Sequence, residues 1–225
     1  MNRFYLMLAV LVAVGIGLLL FLMNRSSSPT IPVQVAVTAA DTAGFTGYVL
    51  GSETAPVTIT EYADYQCPAC QSFAMVESPY VKERLVQTGK VRYVYRDFPL
   101  DQPHRWARLA AHSAACANDQ NKYWEQHDAI YRTQGDWSPS GDAGRIFRNL
   151  AEQAGLDLTA YDECMRSLKY AGRIQASLDE GIRIGVNSTP SFRIGDRLYA
   201  GVQPYDKLKT VVDSLIAAGG AAPAP

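Results

Sequence analysis

The sequence has little net charge, few cysteines and no internal repeat, and these shortages narrow the function classes. Lys and Arg number 21 against 22 Asp and Glu, a formal net charge of −1. The basic side chains are scattered and there is no acidic tail, so no charged surface exists to hold a phosphate backbone. Nucleic acid is therefore not expected as a partner. Four cysteines occur in 225 residues, as one Cys-x-x-Cys pair and two distant singles. No second close pair of ligands has the spacing of a structural zinc site, although His112 and Cys116 are one helical turn apart. No metal and no cofactor are expected.

One long apolar run is present. From Phe4 to Met23 there are 20 residues without charge. As a helix they would cover about 30 Å, the hydrocarbon thickness of a bilayer. Residues 4–23 are expected to be a single-pass transmembrane anchor, with residues 1–3 as a cytoplasmic tip. Arg3 and Arg25 flank the run on both sides, so the charges do not set its orientation. A cleaved signal peptide is the alternative. Its apolar core is usually shorter, and the small-residue site Val37-Thr38-Ala39 lies far from the run. Residues 24–44, rich in Ser, Thr, Pro and Ala, read as a flexible tether, and 218–225 as a disordered tail.

Beyond the tether, Val57 to Tyr62 is β-branched and follows Ala55-Pro56, which predicts a strand. A helical stretch follows from Cys70 to about Thr88, with Pro79 expected to kink it and Gly89 to stop it. Val91 to Tyr95 predicts a second strand. Strand–helix–strand implies a parallel pair with a right-handed crossover. Residues 101–185 are helical in pattern almost throughout. Trp106, Leu109, Ala110, Ala114 and Ala117 form one stripe, and Tyr123, His127, Ile130 and Tyr131 another. Thr159 with Asp162 resembles a capping box. A hairpin is expected at Ser191–Ile194 and Arg197–Ala200 around Gly195-Asp196, then a last helix from Tyr205 to Ala217. The chain thus reads as an α/β frame, residues 45–100 and 186–217, interrupted by a helical insertion. Trp106, Trp124 and Trp137 are expected in packing roles, and His104, after Pro103, at the surface.

The chemistry centres on Cys67-Pro68-Ala69-Cys70. Residues three apart share one face of a helix, so the two sulfurs can meet. Cys67 at a helix start would have its thiolate stabilised by free N–H groups and the helix dipole. That makes it a ready nucleophile and a good leaving group. Cys70, one turn in, would be shielded and act as the resolving thiol. Pro68 fits the first helical position, where its missing N–H costs nothing. Zinc ligation or a purely structural disulfide are the competing readings of the pair.

Further motifs give the sequence its likeness to a known family. Ala55-Pro56-Val57-Thr58 leads into the strand. Asp64-Tyr65-Gln66 precedes Cys67-Pro68-Ala69-Cys70, Lys122 to Asp128 lies in the insertion, and Thr189-Pro190-Ser191-Phe192 opens the hairpin. With these the sequence resembles the DsbA-like thiol:disulfide oxidoreductases of the thioredoxin superfamily from about Gly47 onward. The resemblance implies a thioredoxin-like α/β fold with an inserted α-helical subdomain. It implies a cis peptide bond before Pro190, with Pro190 facing the cysteines and Thr189 offering backbone to an extended substrate. Pro68 and Ala69 would border the same substrate site. It implies that Glu61 is a buried proton acceptor near Cys70, with Asp64 as the rival acid. The family's strong oxidants often carry His between the cysteines, whereas Pro68-Ala69 stands here. Cys116 and Cys164 are expected to form a structural disulfide between two insertion helices. Two buried thiols or a secondary redox relay are the alternatives.

The expected function is a membrane-anchored protein disulfide oxidoreductase on the extracytoplasmic side, periplasmic or cell-surface. It would act as a dithiol oxidase on reduced exported proteins or peptides. A membrane redox partner would reset Cys67–Cys70. A reductase or isomerase using the same site is the alternative, as is a non-enzymatic, membrane-anchored metal-binding or chaperone module.

Overall fold

The structure is a computed structural model in which residues 2–23, 31 and 35–219 are described. Parts of the expected tip, tether and tail therefore lie outside the described residues. Helix α1 covers Asn2–Met23, with side chains described at Arg3 and over residues 5–19, all exposed. Over the described residues no helix is long and apolar enough to cross a membrane. A short helix, α2 (Ala39–Thr42), precedes the folded domain.

Five strands form one mixed sheet, β1 (Tyr48–Leu50), β2 (Val57–Ala63), β3 (Val91–Asp97), β4 (Ser191–Ile194) and β5 (Arg197–Ala200), in the order β1-β3-β2-β4-β5. β2 and β3 run parallel from Val57 opposite Val91 to Ala63 opposite Asp97. β1 joins β3 antiparallel, β4 joins β2 antiparallel, and β5 closes the edge. With three residues, β1 is too short to show a period in the sequence.

The crossover from β2 to β3 is helical from Pro68 to Val86 but not uniform. It passes through α3 (Pro68–Ser72), a π-helical turn (Phe73–Glu77), α4 (Ser78–Val81) and a second π-helical turn (Lys82–Val86). The expected disturbance at Pro79 takes this form. Pro79 has no N–H to give, and the wider turn just before it accommodates the missing bond. Gly89, at φ +75°, turns the chain back toward β3.

Six helices follow: α5 (Ala107–Asn118), α6 (Tyr123–Arg132), α7 (Gln134–Trp137), α8 (Ala143–Gln153), α9 (Leu158–Ser167) and α10 (Ala171–Arg183). Buried alanines along α5 let its neighbours approach closely. The Cys116 and Cys164 sulfurs are bonded, tying α5 to α9. The start of α9 differs from the expected capping box. Asp157 is the cap, accepting from Thr159 N–H at 2.8 Å and Ala160 N–H at 3.2 Å. Asp162 instead pairs with Arg148 at 2.9 Å. Asp157 sits one position before the first helical residue, where a carboxylate reaches the free amides, and Thr159 is already inside. α10 returns to the sheet so closely that a Cβ on Gly181 would lie 2.6 Å from the Phe98 ring. α11 (Tyr205–Ala217) packs Leu208 and Val212 against Val57, Ile59, Phe73 and Phe192.

Alternation puts Val57, Ile59, Glu61 and Ala63 on one face of β2, with Tyr93, Tyr95 and Asp97 beside them on β3. One end of this face lies in the aliphatic cluster under α11. The other end lies in the aromatic cluster under the insertion, which also holds Cys67 and Cys70. Glu61 is the charged residue between the two.

Candidate active site

β2 ends at Ala63, and four residues, 64–67, lead from it into α3. Asp64 organises this turn. Its carboxylate accepts from Gln66 N–H at 2.6 Å and Leu100 N–H at 2.7 Å, and its carbonyl accepts from Cys67 N–H at 3.1 Å. Cys67 is the cap of α3 in an extended conformation (φ −73°, ψ 123°), and Pro68 takes the first helical position. The Cβ directions of a helix then stack Cys70 one turn below Cys67.

The two thiols differ in environment. Cys67 keeps 8% exposure and Cys70 none. The Cys67 thiol is drawn down to about 5, chiefly because the Cys70 thiol donates to its sulfur. The Thr189 side chain and the N–H groups of Cys70 and Ala69 add to this, against the opposing effect of burial. The Cys70 thiol is pushed well above its ordinary value by burial first, then by the negative Cys67 and Glu61. One sulfur is thus an anion at neutral pH and its neighbour holds its proton.

The loop before β4 faces this pair. The Thr189–Pro190 peptide is cis. The Thr189 carbonyl lies 3.5 Å from Cys67 Sγ. Pro190 is buried, Pro68 is exposed and Ala69 is half-buried. Glu61 is 3% exposed and accepts a short hydrogen bond from the Tyr93 hydroxyl. Burial raises its carboxyl to about 7, against the pull of Tyr93 and Lys82. Asp64, the rival acid, is committed to holding the turn.

His104 is not the free surface residue expected. Its Nδ1 lies 2.8 Å from Asp64 Oδ2, with the side chain 16% exposed. The insertion supplies what the sequence pattern did not disclose. Gln134 Nε2 donates to the Tyr65 carbonyl at 2.7 Å and the Cys67 carbonyl at 3.1 Å. Gln71 Nε2 donates to the Tyr131 carbonyl at 2.9 Å, and Gln66 bridges Ser138 and the Trp106 N–H. A lone glutamine carries no period or motif, so only the fold reveals these contacts. Away from the site, the ligating atoms of His112, Cys116 and Cys164 lie within 4.8 Å of one another. The two sulfurs there are bonded to each other, and His112 Nε2 is paired with the Cys164 carbonyl at 3.1 Å.

A family model described as Thioredoxin matches residues 44–214. The chain belongs to the thioredoxin family. Within it the chain is DsbA-like. It is similar to a probable disulfide bond formation protein D of Bacillus anthracis, at 25% identity over 73% of this chain and 76% of that protein. Among solved structures it is similar to alpha-DsbA1 of Wolbachia pipientis, at 25% identity and TM-score 0.67, covering 76% of this chain and 90% of the other. A Na(+)/H(+) antiporter NhaA 3 of Salinispora tropica is 35% identical over 76% of this chain. The chain spans about a quarter of that antiporter's length, 25%. In this thioredoxin-family domain the crossover helix carries Cys67 and Cys70, the loop before β4 brings the Thr189 carbonyl to Cys67 Sγ, and the charge of Glu61 on β2 acts on Cys70.

Proposed function

We propose that the chain is a protein thiol:disulfide oxidoreductase working as a dithiol oxidase, with Cys67 and Cys70 as its redox pair. The observation that carries this reading is the split between the two thiols. Cys67 is held near 5 with residual exposure, and Cys70 is sealed and protonated. In the closed form a substrate thiolate attacks Sγ of Cys67, the less buried of the two cysteines. The Cys67–Cys70 bond breaks and Cys70 leaves with the electron pair. Glu61, whose carboxyl burial raises to about 7, would supply the proton that Cys70 takes up. The substrate's second thiolate then attacks its own sulfur in the mixed disulfide. Cys67 departs as a thiolate, which its low pKa favours. One substrate disulfide forms, and the enzyme keeps two electrons as its dithiol. During this exchange the Thr189 and Pro190 backbone, beside Pro68 and Ala69, would line the path of an extended substrate peptide.

Residues 4–23 anchor the domain in a membrane in this reading, with the redox site on the extracytoplasmic side. The uncharged length of that run supports the anchor. The bonded Cys116–Cys164 pair supports an oxidising compartment. The substrates are reduced exported proteins or peptides, and a membrane redox partner reoxidises Cys67–Cys70. Cys67→Ala is expected to abolish oxidation of a reduced model peptide while circular dichroism stays unchanged. Turnover retained by this variant would sink the assignment. A Cys67–Cys70 couple as reducing as a thioredoxin would instead turn the direction to reductase.

A further inference from the structure

The dipeptide between the cysteines, Pro68-Ala69, has no charge to offer Cys67. A charge of the wrong sign stands nearby. Asp64 holds the Cys67 N–H with its carbonyl at 3.1 Å, and its carboxylate, fully buried, is fixed by two further amides. A buried carboxylate in the turn that carries a thiolate opposes that thiolate's charge. His104 lies on that carboxylate, with Nδ1 at 2.8 Å from Oδ2. An ionised carboxylate only accepts, so Nδ1 carries the proton of that bond.

We infer that His104, reaching the site from the loop before α5, is the positive partner of the Cys67 thiolate: its imidazolium neutralises Asp64 and favours the dithiol form. The inference rests on the oxidoreductase reading above. The imidazole is pulled toward its charged form first by the Asp64 hydrogen bond, and the Cys67 charge acts in the same direction. The neighbouring charges do not take its place. Arg108 is paired with Asp101 at 2.6 Å, and Arg105 donates to the Ser140 carbonyl at 2.6 Å while its guanidinium lies over the Trp106 ring. Asp97, buried at the end of β3, adds no positive charge to this corner. His104 touches neither reacting sulfur. It is a positioning residue acting through Asp64 and through its field.

Coupling of this kind is reciprocal. If His104 stabilises the thiolate, the thiolate stabilises the imidazolium by the same free energy. Two-dimensional NMR of the unaltered protein therefore tests the inference without any variant. His104 is expected to titrate at higher pH in the dithiol form than in the disulfide form, by about half a pH unit or more for charges at a part-solvated site. Equal values in the two forms would overturn it. Variants give a second readout. His104→Gln keeps a donor toward Asp64 but removes the charge. It should raise the Cys67 thiol by a similar amount, read by thiolate ultraviolet absorbance, and shift the glutathione equilibrium toward disulfide by roughly threefold or more. His104→Arg, with a permanent charge, should restore both. If His104→Gln matches the wild type in both readouts, the imidazole is merely structural. If Cys67 of the wild type titrates as an ordinary thiol, the oxidoreductase reading itself fails, and the inference with it.

Discussion

Asp97 ends β3 with 1% exposure, and neither of its carboxylate oxygens has a hydrogen-bond partner among the described residues. Burial raises its carboxyl from 3.8 to about 7, even though Arg96 and Arg173 pull the other way. The sign of the consequence follows from proton counting. Between the two values the unfolded chain has released its proton and the folded chain has not. The native state binds more protons there, so stability falls as pH rises from about 4 to about 7 and then levels off. A carboxyl held that far above its unfolded value costs up to about 4 kcal/mol once ionised. Asp97→Asn cannot ionise and should lose this dependence. The buried amide is also unpartnered, at a cost of about 1–3 kcal/mol that is independent of pH. The variant should therefore be no more stable than the wild type near pH 4, and should gain on it by about 2–4 kcal/mol between pH 4 and pH 8. Urea unfolding of the disulfide form across that range measures the difference without interference from the Cys67 thiol. Parallel stability curves for the two proteins would refute the reasoning.

Two further outcomes are expected. The dithiol form should be more stable than the disulfide form at neutral pH, by a margin that grows with alkalinity. The folded Cys67 value near 5 lies below that of a free thiol, so its contribution is complete only above about 9 and vanishes as pH falls through 5. Thermal melts of both forms at pH 5 and pH 8 check this, and a gap that narrows at the higher pH would contradict it. Replacing Cys116 and Cys164 together by Ala should cost about 4 kcal/mol, because the bond closes a loop with a sequence separation of 48. Denaturant unfolding measures this, and an unchanged midpoint would show that the unfolded chain gains nothing from the cut.

The sequence carried the frame and the reactive pair because both rest on local signals. β-branched runs marked β2 and β3, Gly195-Asp196 marked the hairpin between β4 and β5, and the spacing of Cys67 and Cys70 marked a helical turn. Three features left weaker traces. β1 has three residues and owes its strand geometry to β3. The cap of α9 is Asp157, displaced from the Thr159 pattern because a cap is defined by where the backbone leaves the helix. His104 was hidden for a different reason. Its partner Asp64 is 40 residues away in sequence, and a contact across that separation exists only after the sheet and the loop before α5 are in place.

The glutamines that stitch the reactive turn to the insertion have a further consequence. Gln66, Gln71 and Gln134 hold backbone and hydroxyl groups through amides, which neither gain nor lose protons in the range where Cys67, Glu61 and His104 change charge. The amide part of this mounting is therefore indifferent to acidity, and only its Asp64 corner, bonded to His104, carries groups that titrate. A drop in pH that protonates the nucleophile leaves the glutamine contacts to the insertion in place, so activity lost on mild acidification should return when neutrality is restored.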